Sequence, residues 1–572
     1  MAMMDLITEH LDIWTSAQVQ KKNGGRGRGK MSNGKSIHGI KKLRELILDL
    51  AVRGKLVPQD PDDESAIVLL EKIAQEKKRL LKEGKLKKQK NLPLIAKNEK
   101  QFEIPQGWEY VRFGNITFNR DFERVPLSVD ERKGRQGEYD YYGASGVIDS
   151  IDDFIFEEPL LLIGEDGANL INRSTPIAFI ARGQYWVNNH AHVLGALTEG
   201  LLEYICLHIN AISLEPYVTG TAQPKMNQAK MNSIVLALPP LVEQHRIVAK
   251  VDELMALCDK LEQQQTDSST THQTLVETLL TTLTNAANQN EFAETWQRIA
   301  DHFDTLFTTE QSIDHLKQTI LQLAVMGKLV PQDPDDEPAN VFLERIGRKS
   351  KNVRKKSFSM ISKSEYPFIL PDNWEWIRFG DLGEILGGGT PSKSNPEFWG
   401  GEIPWISPKS MKMDYISDSV DKITSEAVNK SAAKMIPVDS LLIVVRGMIL
   451  AHSFPAAINL TPVTINQDMK AVVLSGPEKA FILLMIKGLR DEFLKLVERS
   501  SHGTCKLVSN KLWNKIIGIP PLTEQRRIVT KVEELITLCD TLKASLSKNQ
   551  TTKIHLADTI VEQVISQETV QQ

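Results

Sequence analysis

Two copies of one sequence layout follow each other along the chain, and this repeat limits the folds that the chain can adopt. Each copy holds a helical apolar stripe, an acidic turn, a Pro-x-x-Trp phrase and a Pro-Pro-Leu phrase, in that order. The matched segments are 40–50 with 313–323, 53–64 with 326–337, 104–114 with 370–380 and 238–248 with 519–529. A tandem duplication of this kind predicts two like-folded halves related by a pseudo-twofold axis. Matching border segments around divergent sequences suggest a molecule that recognises two different targets.

Bulk composition places the chain in a broad class and excludes few functions. Its 572 residues are enough for three or four domains, and 41% hydrophobic with 25% charged residues is an ordinary globular composition. The net charge of -4 gives no overall positive field, so a nucleic-acid surface would have to come from local basic stretches. The four cysteines form no Cys-x-x-Cys pair, and no long apolar run occurs. These features predict a reduced, cytoplasmic protein with no zinc and no membrane span.

The first copy carries an insertion rich in glycine and basic residues. Residues 7–12 resemble 299–304 at an offset of 292, whereas the next repeats are offset by 273, so extra residues lie between them in the first copy. The insertion coincides with 20–35, which contains no acid and cannot bury a core. We expect a disordered arm that acts either as a passive linker or as a transient contact to phosphates.

Apolar residues spaced alternately three and four apart predict two helices in each copy. One pair of stripes lies in 40–50 and 313–323, and the other begins after the Pro-Pro pairs, where proline is tolerated at a helix start. We interpret them as helix-on-helix packing between the halves. The alternative is an ordinary helix packed on its own domain. The spacer coiled coil would use Ile247, Val251, Leu254 and Leu261 in the first copy and Ile528, Val532, Leu535 and Leu542 in the second.

Two regions of domain size lie between these helices, roughly 101–238 and 364–519. Strand-like runs at 160–163 and 441–445, many Gly and Pro turns and a helical run at 481–497 predict a mixed α/β fold for both. Their borders match, but their interiors mostly differ. A common fold with changed surface chemistry is the natural inference.

A few interior points of the two regions can still be aligned. Asp166-Gly167 matches Arg446-Gly447, and Asn188 matches Asn466. The matched asparagines favour a structural hydrogen bond over sequence reading at both positions.

Taken in order, the repeated phrases resemble the specificity subunit of type I restriction-modification enzymes over nearly the whole chain. The phrases are Pro-Pro-Leu-Val-Glu-Gln-His-Arg-Ile at 239–247, Pro-Pro-Leu-Thr-Glu-Gln-Arg-Arg-Ile at 520–528, the two Gly-Lys-Leu-Val-Pro-Gln-Asp-Pro turns, and Gly-Gly-Gly-Thr-Pro at 387–391 followed by Trp399 and Ile-Pro-Trp-Ile at 403–406. One phrase alone is a weak signal. The order of all of them is specific.

The resemblance implies an α+β fold in which long antiparallel coiled-coil helices separate two α/β target recognition domains. The implied segments are an N-terminal helical segment at 1–100, a first recognition domain at 101–240, a central helical segment at 241–363, a second recognition domain at 364–521 and a C-terminal helix at 522–572. Such a subunit is not catalytic and binds a bipartite, asymmetric site in double-stranded DNA. The implied partners are two modification subunits, which methylate adenine from S-adenosylmethionine, and restriction subunits that use ATP and Mg²⁺. The chain itself is expected to bind no cofactor.

The spacer helix has the length expected of a ruler along DNA. If 241–261 is one continuous helix, its twenty steps at ~1.5 Å span about 30 Å. This is close to the ~34 Å of one turn of B-DNA. We therefore expect whole-turn changes in its length to change the gap between half-sites and to leave each half-site unchanged.

Base reading requires polar side chains presented on loops, whereas phosphate contacts only position a protein. The candidates are Tyr142, Ser145, Asp166, Asn169, Gln223, Lys225 and Asn227 in the first region and Thr390, Ser392, Lys393, Lys409, Arg446, Lys506 and Ser509 in the second. For each of them the alternative is ordinary loop surface. Basic runs also precede the two regions: Lys77, Lys78, Arg79, Lys82, Lys85, Lys87, Lys88 and Lys90 before the first, and Arg348, Lys349, Lys351, Arg354, Lys355 and Lys356 before the second. Each run is either a clamp on the DNA backbone or a solvated helix end.

No catalytic motif stands out in the sequence. The Pro-Pro pairs follow Leu238 and Ile519, unlike the Asn/Asp-Pro-Pro-Tyr/Phe loop of an adenine methyltransferase, and no ATP-binding loop or His-Glu-x-x-His pair occurs. His190 and His192 lack further metal ligands at suitable spacing. The acidic turns favour a capping loop or a docking surface over a nuclease cluster. Two functions stay open: a DNA reader that assembles catalytic partners, and a duplicated coiled-coil scaffold that binds proteins or glycans.

Overall fold

The computed structural model shows a chain that divides into two compact units. It describes residues 3–19, 36–220, 223–349, 361–499 and 503–570, so the basic insertion at 20–35 lies outside the described residues. Unit 1 comprises Met1–Ser269 and Asn549–Gln572, and unit 2 comprises Thr270–Lys548. The mixed helices and sheets of the chain confirm the predicted α+β class.

Helices and short strands frame the sheets of unit 1. The helices that begin in unit 1 are α1 (Met3–Glu9), α2 (Leu11–Ser16), α3 (His38–Val52), α4 (Ala66–Lys82), α5 (Phe113–Ile116), α6 (Val129–Lys133), α7 (Asn169–Asn172), α8 (Glu199–Ala211), α9 (Gln228–Asn232) and α10 (Leu241–Asn285). Its strands are β1 (Gln18–Val19), β2 (Ser36–Ile37), β3 (Glu109–Arg112), β4 (Phe118–Asn119), β5 (Gln136–Gly143), β6 (Gly146–Ile151), β7 (Leu160–Gly164), β8 (Ala178–Ala181), β9 (Tyr185–Val187), β10 (Ala191–Gly195) and β11 (Val235–Leu238).

Unit 2 follows this order of segments in outline, with thirteen described strands against eleven in unit 1. The helices that begin in unit 2 are α11 (Gln289–Asp301), α12 (Phe303–Leu306), α13 (Glu310–Val325), α14 (Ala339–Lys349), α15 (Ser425–Lys430), α16 (Lys479–Gly488), α17 (Arg490–Leu494), α18 (Ser509–Trp513) and α19 (Leu522–Val570). Its strands are β12 (Glu375–Arg378), β13 (Gly383–Gly387), β14 (Trp399–Ile406), β15 (Tyr415–Ile416), β16 (Lys422–Ile423), β17 (Met435–Ile436), β18 (Ser440–Val444), β19 (Ala456–Asn459), β20 (Val463–Ile465), β21 (Met469–Leu474), β22 (Val497–Arg499), β23 (Cys505–Leu507) and β24 (Ile516–Ile519).

The sheets of the two units share one topology. Unit 1 has the antiparallel order β4-β10-β7-β8, and unit 2 has β13-β21-β18-β19 with β15 added at the edge. A second sheet has the order β6-β5-β9 in unit 1 and β16-β14-β20-β17 in unit 2, and its β5–β9 and β14–β20 pairs are parallel. A two-stranded ladder, β3–β11 or β12–β24, leads into the long helix that follows. The common fold expected for the two interiors is therefore present.

The apolar runs form the central strands of these sheets. β7 and β18 are buried along their whole length, and each has a neighbouring strand on both sides. Both agree with the strands predicted at 160–163 and 441–445. The helical run predicted at 481–497 is correct for α16 and α17, but residue 497 begins β22.

The Pro-Pro pairs mark the starts of the two longest helices, as predicted. α10 begins at Leu241 and continues for 45 residues, and α19 begins at Leu522 and continues for 49 residues. Each begins in one unit and ends in the other. The N-terminal part of α10 shares the core of unit 1, where α3 packs on α8. The N-terminal part of α19 shares the core of unit 2, where α13 packs on α16.

The predicted stripes lie in these cores. Fully or nearly fully buried are Ile40, Leu43, Ile47, Leu50, Ile247, Val251, Leu254 and Cys258 in unit 1 and Ile313, Leu316, Ile320, Leu323, Ile528, Val532 and Cys539 in unit 2. Leu261, Leu535 and Leu542 are half-buried and pack against the same cores. The N-terminal part of each long helix is thus a core helix of its own unit, in contact with sheet residues as well as with other helices.

The C-terminal parts of the long helices complete the cores. In unit 2, Val276 and Leu280 of α10 share a core with Ile299 of α11. In unit 1, Ala557 and Ile560 of α19 share a core with residues of α1 and α3. Gln550 also donates from its side-chain amide to the Ser16 carbonyl at 2.9 Å. Each unit therefore has a long-helix C-terminal segment beside the short helices that begin its copy of the repeat.

The three repeated phrases of each copy meet at one junction. In unit 1, buried Glu243 at the start of α10 accepts hydrogen bonds from Gln59 at 2.8 Å and from the Trp108 indole at 2.9 Å. Arg246 pairs with Asp63 of the acidic turn at 2.5 Å. Burial raises the pKa of Glu243, although these donors oppose that effect. The three phrases are thus in contact at the start of α10.

Unit 2 repeats the Gln–Glu and Arg–Asp contacts of this junction. Gln332 donates to buried Glu524 at 2.8 Å, and Arg527 pairs with Asp336 at 2.7 Å. Within each acidic turn the first aspartate accepts from a backbone N–H two residues later, at 3.0 Å in both copies. The acidic turns are therefore loops that join α3 to α4 and α13 to α14 and pair with the start of a long helix.

Candidate nucleic-acid interface

In unit 1, several candidate residues gather where β7 ends. Asp166 forms a backbone bridge with Lys225, and the Gly167 N–H donates to the Pro224 carbonyl at 3.0 Å. Gln223 is exposed in the loop that enters this bridge. Asp166, Gln223 and Lys225 are thus brought to one edge of the sheet.

The hairpin turn between β5 and β6 reaches the same edge. A Cβ on Gly164 would lie 2.6 Å from the Ala144 carbonyl oxygen, so the turn lies directly on the end of β7. Ser145 is exposed in this turn. Tyr142 points elsewhere: its ring stacks on Phe179 with centroids 5.7 Å apart, and burial raises the pKa of its phenol. Tyr142 packs within the unit rather than presenting a free ring.

Asn169 and Asn227 hold loops of unit 1 in place. The Asn169 carboxamide accepts from the Thr175 N–H at 3.1 Å and donates to the Thr175 carbonyl at 3.1 Å. Asn227 caps α9 by accepting from the Lys230 N–H at 3.0 Å. Both amides already have partners inside the protein.

In unit 2, Arg446 and Lys506 occupy the edge that corresponds to Asp166 and Lys225. They form a backbone bridge after the end of β18, and the Gly447 N–H donates to the Cys505 carbonyl at 2.9 Å. Both side chains are exposed. The backbone arrangement of unit 1 is thus repeated with arginine in place of aspartate.

The glycine-rich loop of unit 2 lies at the end of β20. The Thr390 hydroxyl donates to the side-chain carbonyl oxygen of Gln467. The Ser392 carbonyl accepts from the Trp399 indole at 3.1 Å, and the side chains of Ser392 and Lys393 are exposed. The structure therefore brings Thr390 to this edge and leaves Ser392 and Lys393 on the loop surface.

Lys409 follows the strand parallel to β20. The Asn466 N–H donates to the Ile406 carbonyl at 2.9 Å, which places the ends of β14 and β20 side by side. Lys409 is exposed in the turn after β14, and Ser509 is exposed at the first position of α18.

Asn188 and Asn466 form matched structural hydrogen bonds, as predicted. The Asn188 carboxamide oxygen accepts from the His190 N–H at 2.7 Å, and that of Asn466 accepts from the Asp468 N–H at 3.1 Å. Each asparagine lies just after the strand parallel to β5 or β14. They shape the loop and are not free to read a base.

A charged network lies below the unit 1 edge. His192 is buried, with Nδ1 2.8 Å from Asp121 Oδ2 and Nε2 3.0 Å from the Met226 carbonyl. Burial alone disfavours the charged ring, but the bond to Asp121 outweighs it and raises the pKa of His192. Burial acts against the Asp121 carboxylate as well, yet His192 and Arg124 hold its pKa below the usual range. The network fixes the loop that carries Lys225.

Sequence reasoning missed Arg124 and Gln467. Arg124 donates to the Ala191 carbonyl at 2.6 Å and to Glu165 at 3.2 Å, and Glu165 in turn pairs with Lys225 at 3.2 Å. Arg124 has no repeated counterpart to single it out. Gln467 could have been identified, because it directly follows Asn466, which aligns with Asn188.

In the basic run before the first region, some side chains have partners within the protein and others are exposed. Lys77 donates to the Gly114 carbonyl, and burial lowers its pKa to about 8. Arg79 pairs with Glu76 and Glu83, and Lys87 lies 5.0 Å from the centre of the Phe122 ring. Lys78, Lys82, Lys85, Lys88 and Lys90 are exposed, and Lys85 pairs with Glu83 at 3.1 Å.

The basic run before the second region is mostly outside the described residues. α14 ends at Lys349, and 350–360 are not described. Elsewhere, within the described ranges, no three His, Cys, Asp or Glu side chains gather in a way that could hold a metal ion. His190 instead lies with Nδ1 2.8 Å from Asp166 Oδ2. Across the same ranges, no helix has both the length and the apolar character needed to cross a membrane.

Comparison with known proteins places these features in one family. A sequence profile described as "Type I restriction modification DNA specificity domain" matches residues 105–268 and 371–550. The type I restriction enzyme EcoAI specificity subunit of Escherichia coli is 34% identical, with 99% of this chain and 100% of the relative covered. The EcoEI specificity subunit of the same organism is 36% identical over the same shares of both chains. A crystal structure of the HsdS subunit from Thermoanaerobacter tengcongensis matches at 17% identity and a TM-score of 0.39, over 82% of this chain and 98% of that chain. The chain belongs to the specificity subunits of type I restriction enzymes.

Proposed function

We propose that the chain reads a bipartite, asymmetric DNA site, with one half-site bound by each unit. One observation carries the proposal: the same strand ends present Asp166 and Lys225 in unit 1 but Arg446 and Lys506 in unit 2. Arginine donates two hydrogen bonds to guanine, whereas a carboxylate accepts from cytosine N4. Two equal scaffolds with different donors and acceptors fit two different half-sites.

The two recognition domains are proposed to be 101–240 and 364–521. Their strands from β3 to β11 and from β12 to β24 fall inside these limits. The helical segments 1–100, 241–363 and 522–572 would then hold the domains and receive partners. The base-reading set is proposed to centre on Ser145, Asp166, Gln223 and Lys225 in the first domain and on Thr390, Lys409, Arg446 and Lys506 in the second.

Chemistry is proposed to reside in recruited subunits. Two modification subunits would methylate adenine from S-adenosylmethionine, and restriction subunits would use ATP and Mg²⁺ in the cytoplasm. The duplicated helical frame supports two copies of one partner, since both units repeat the Gln–Glu and Arg–Asp contacts at the start of a long helix.

The spacer is proposed to be the pair of long helices. α10 is continuous over 45 residues and α19 over 49, so each link between the units is a helix rather than a flexible loop. A helical link transmits added length at ~1.5 Å per residue.

The experiment that tests this function is co-expression of the chain with its modification subunit, followed by mapping of methylated adenines in genomic DNA. We expect one bipartite motif with two different halves and a constant gap. A chain that binds proteins or glycans as a scaffold would leave the adenines unmethylated and would bind the motif duplex no better than random DNA.

A further inference from the structure

The turn that follows Arg446 in unit 2 exposes two adjacent apolar side chains. Met448 is 60% exposed and Ile449 is 37% exposed. Both belong to the one-turn 3-10 helix Met448–Ala451. Apolar residues exposed singly are common on proteins, but these two are neighbours and come directly after the backbone bridge between Arg446 and Lys506. The edge proposed to read DNA in unit 2 thus has an apolar part as well as a basic one.

A buried leucine anchors this turn. Leu450 is buried in the core of unit 2, and its N–H donates to the Gly447 carbonyl at 3.2 Å. The same frame occurs 280 residues earlier in unit 1, where Gly167 precedes the buried Leu170 of α7. The Leu170 N–H donates to the Gly167 carbonyl, also at 3.2 Å. The two turns therefore share one anchor and one backbone hydrogen bond.

The residues between glycine and leucine differ between the two turns. Unit 1 has Ala168 and Asn169 where unit 2 has Met448 and Ile449. Because the unit 1 turn keeps the same anchor with a small residue and a polar one, the shared frame does not require two large apolar side chains. The apolar pair of unit 2 therefore fits an apolar group on whatever binds this edge.

Basic groups lie on both sides of the pair. Arg446 and Lys506 are exposed before the turn. After it, Arg490 is exposed and donates to the carbonyl of His452. One acidic residue also contacts this edge: the Asp468 carbonyl accepts from the Arg446 N–H at 3.2 Å, and the Asp468 side chain is half-buried. Three exposed cations favour a polyanion, so duplex DNA is the occupant that the charge of this edge fits.

The apolar group that duplex DNA presents in its major groove is the methyl group of thymine. Residues two or three positions apart have Cα atoms at most about 7–11 Å apart, which corresponds to two or three base-pair steps of ~3.4 Å. We propose that Met448 and Ile449 contact a thymine methyl group within about three base pairs of the base read by Arg446. The inference rests on the proposed function, and it adds an apolar determinant to the half-site of unit 2.

The test uses the full-length chain with its modification subunit and duplexes that carry the mapped motif. Deoxyuridine replaces thymidine at one position at a time in either strand, which removes only the methyl group. We expect the wild type to lose affinity about fourfold at one of these positions, because burying one methyl group contributes about that factor. This position is expected to lie in the half-site that Arg446→Ala relaxes.

Met448→Ala with Ile449→Asn gives the turn the two residue types that unit 1 has there, so the variant is expected to fold. It is expected to bind the thymidine and deoxyuridine duplexes equally. Met448→Leu with Ile449→Val keeps an apolar surface and is expected to keep the preference for thymidine. The control is Ile369→Ala with Val420→Ala, which removes side chains that are 91% and 101% exposed outside the turn. The control is expected to keep the full preference.

The outcomes separate this contact from the proposed function. The contact is overturned by a half-site with no thymine in this window, by unchanged affinity with deoxyuridine at every position, or by an Ala–Asn variant that keeps the wild-type preference. Each of these results leaves bipartite recognition standing. A chain that directs no methylation to a bipartite motif refutes the proposed function and this inference with it. The comparison of the two duplexes with the wild type needs no variant and so does not depend on the folding of one.

Discussion

Gly54 packs on Pro105 so closely that a Cβ at position 54 would lie 2.5 Å from the proline Cγ. Gly54 also has φ of +71°, a conformation that other residues avoid. Gly327 and Pro371 repeat both features in unit 2, with the same 2.5 Å distance and φ of +71°. The turn after α3 thus packs against the Pro-x-x-Trp phrase of its copy, and the turn after α13 does the same in the second copy.

Gly54→Ala is expected to destabilise unit 1 by two separable effects. The left-handed backbone costs an alanine about 1–2 kcal/mol, and the overlap with Pro105 adds about 1–3 kcal/mol. Gly84 is the matched control, because it has φ of +73° but nothing within 4 Å of its added Cβ. In urea unfolding, the midpoint of Gly84→Ala is expected to lie between those of the wild type and Gly54→Ala. Equal midpoints for the two variants would show that the contact with Pro105 has no energetic weight.

The buried His192–Asp121 pair is expected to make the stability of the protein depend on pH. The pKa of His192 is raised above its ordinary value of 6.5, so its contribution to stability is fully present below 6.5 and is lost as pH rises through the folded pKa. The pKa of Asp121 lies below its ordinary 3.8, so its contribution is lost only when pH falls through that lower value.

His192→Gln is therefore expected to lower stability most between about pH 4.5 and 6.5. The difference in stability between the variant and the wild type is expected to narrow at higher pH. Thermal unfolding of both proteins from pH 4.5 to 9 measures this difference. A gap that stays constant over this range would mean that His192 does not fold in its charged form.

The exposed lysines before the first recognition domain are expected to contact phosphates. Lys78→Ala and Lys82→Ala are each expected to weaken binding about equally for specific and random duplexes and to reduce the salt slope by about 1. Arg79→Ala is the control, because Arg79 lies on the same helix but already pairs with Glu76 and Glu83. Fluorescence titrations at several salt concentrations give the slopes. Equal slopes for wild type and lysine variants would make the run a solvated helix end.

Helix boundaries and central strands could be predicted, because they depend on local signals. The Pro-Pro pairs gave the starts of α10 and α19, and continuous apolar runs gave β7 and β18. The partners of charged residues could not be predicted. The acidic turn pairs Asp63 with Arg246, 183 residues away, and no local pattern encodes such a distant contact.

The candidate site was predicted in outline and not in detail. Asp166 could be aligned with Arg446, because a glycine follows each of them. This alignment identified the matching sheet edges at the ends of β7 and β18. Tyr142 was expected on a reading loop, but its ring packs on Phe179. Whether a residue near a strand end faces solvent depends on the loops around it, and these loops differ between the two copies.

The long helices are expected to set the gap between half-sites. A four-residue insertion in both helices, near 269 in α10 and near 548 in α19 where the units divide, adds about 6 Å of helix. Methylation mapping is expected to show a gap longer by about one or two base pairs, at ~3.4 Å per pair, with unchanged half-sites. The control is a four-residue insertion at the exposed turn around Gly84, which lies outside both helices. New base preferences with an unchanged gap would contradict the spacer role.

The two units are proposed to read different halves of one DNA site, with Lys225 in unit 1 and Arg446 in unit 2. The most direct measurement is the map of methylated adenines in cells that express the modification subunit with the wild type, with Lys225→Ala or with Arg446→Ala. Loss of one base contact costs about 1–3 kcal/mol of discrimination, so we expect each variant to relax one position in one half-site, and the two variants to relax opposite halves. Relaxation of the same half by both variants, or an unchanged motif in both, would show that Lys225 and Arg446 do not read separate half-sites.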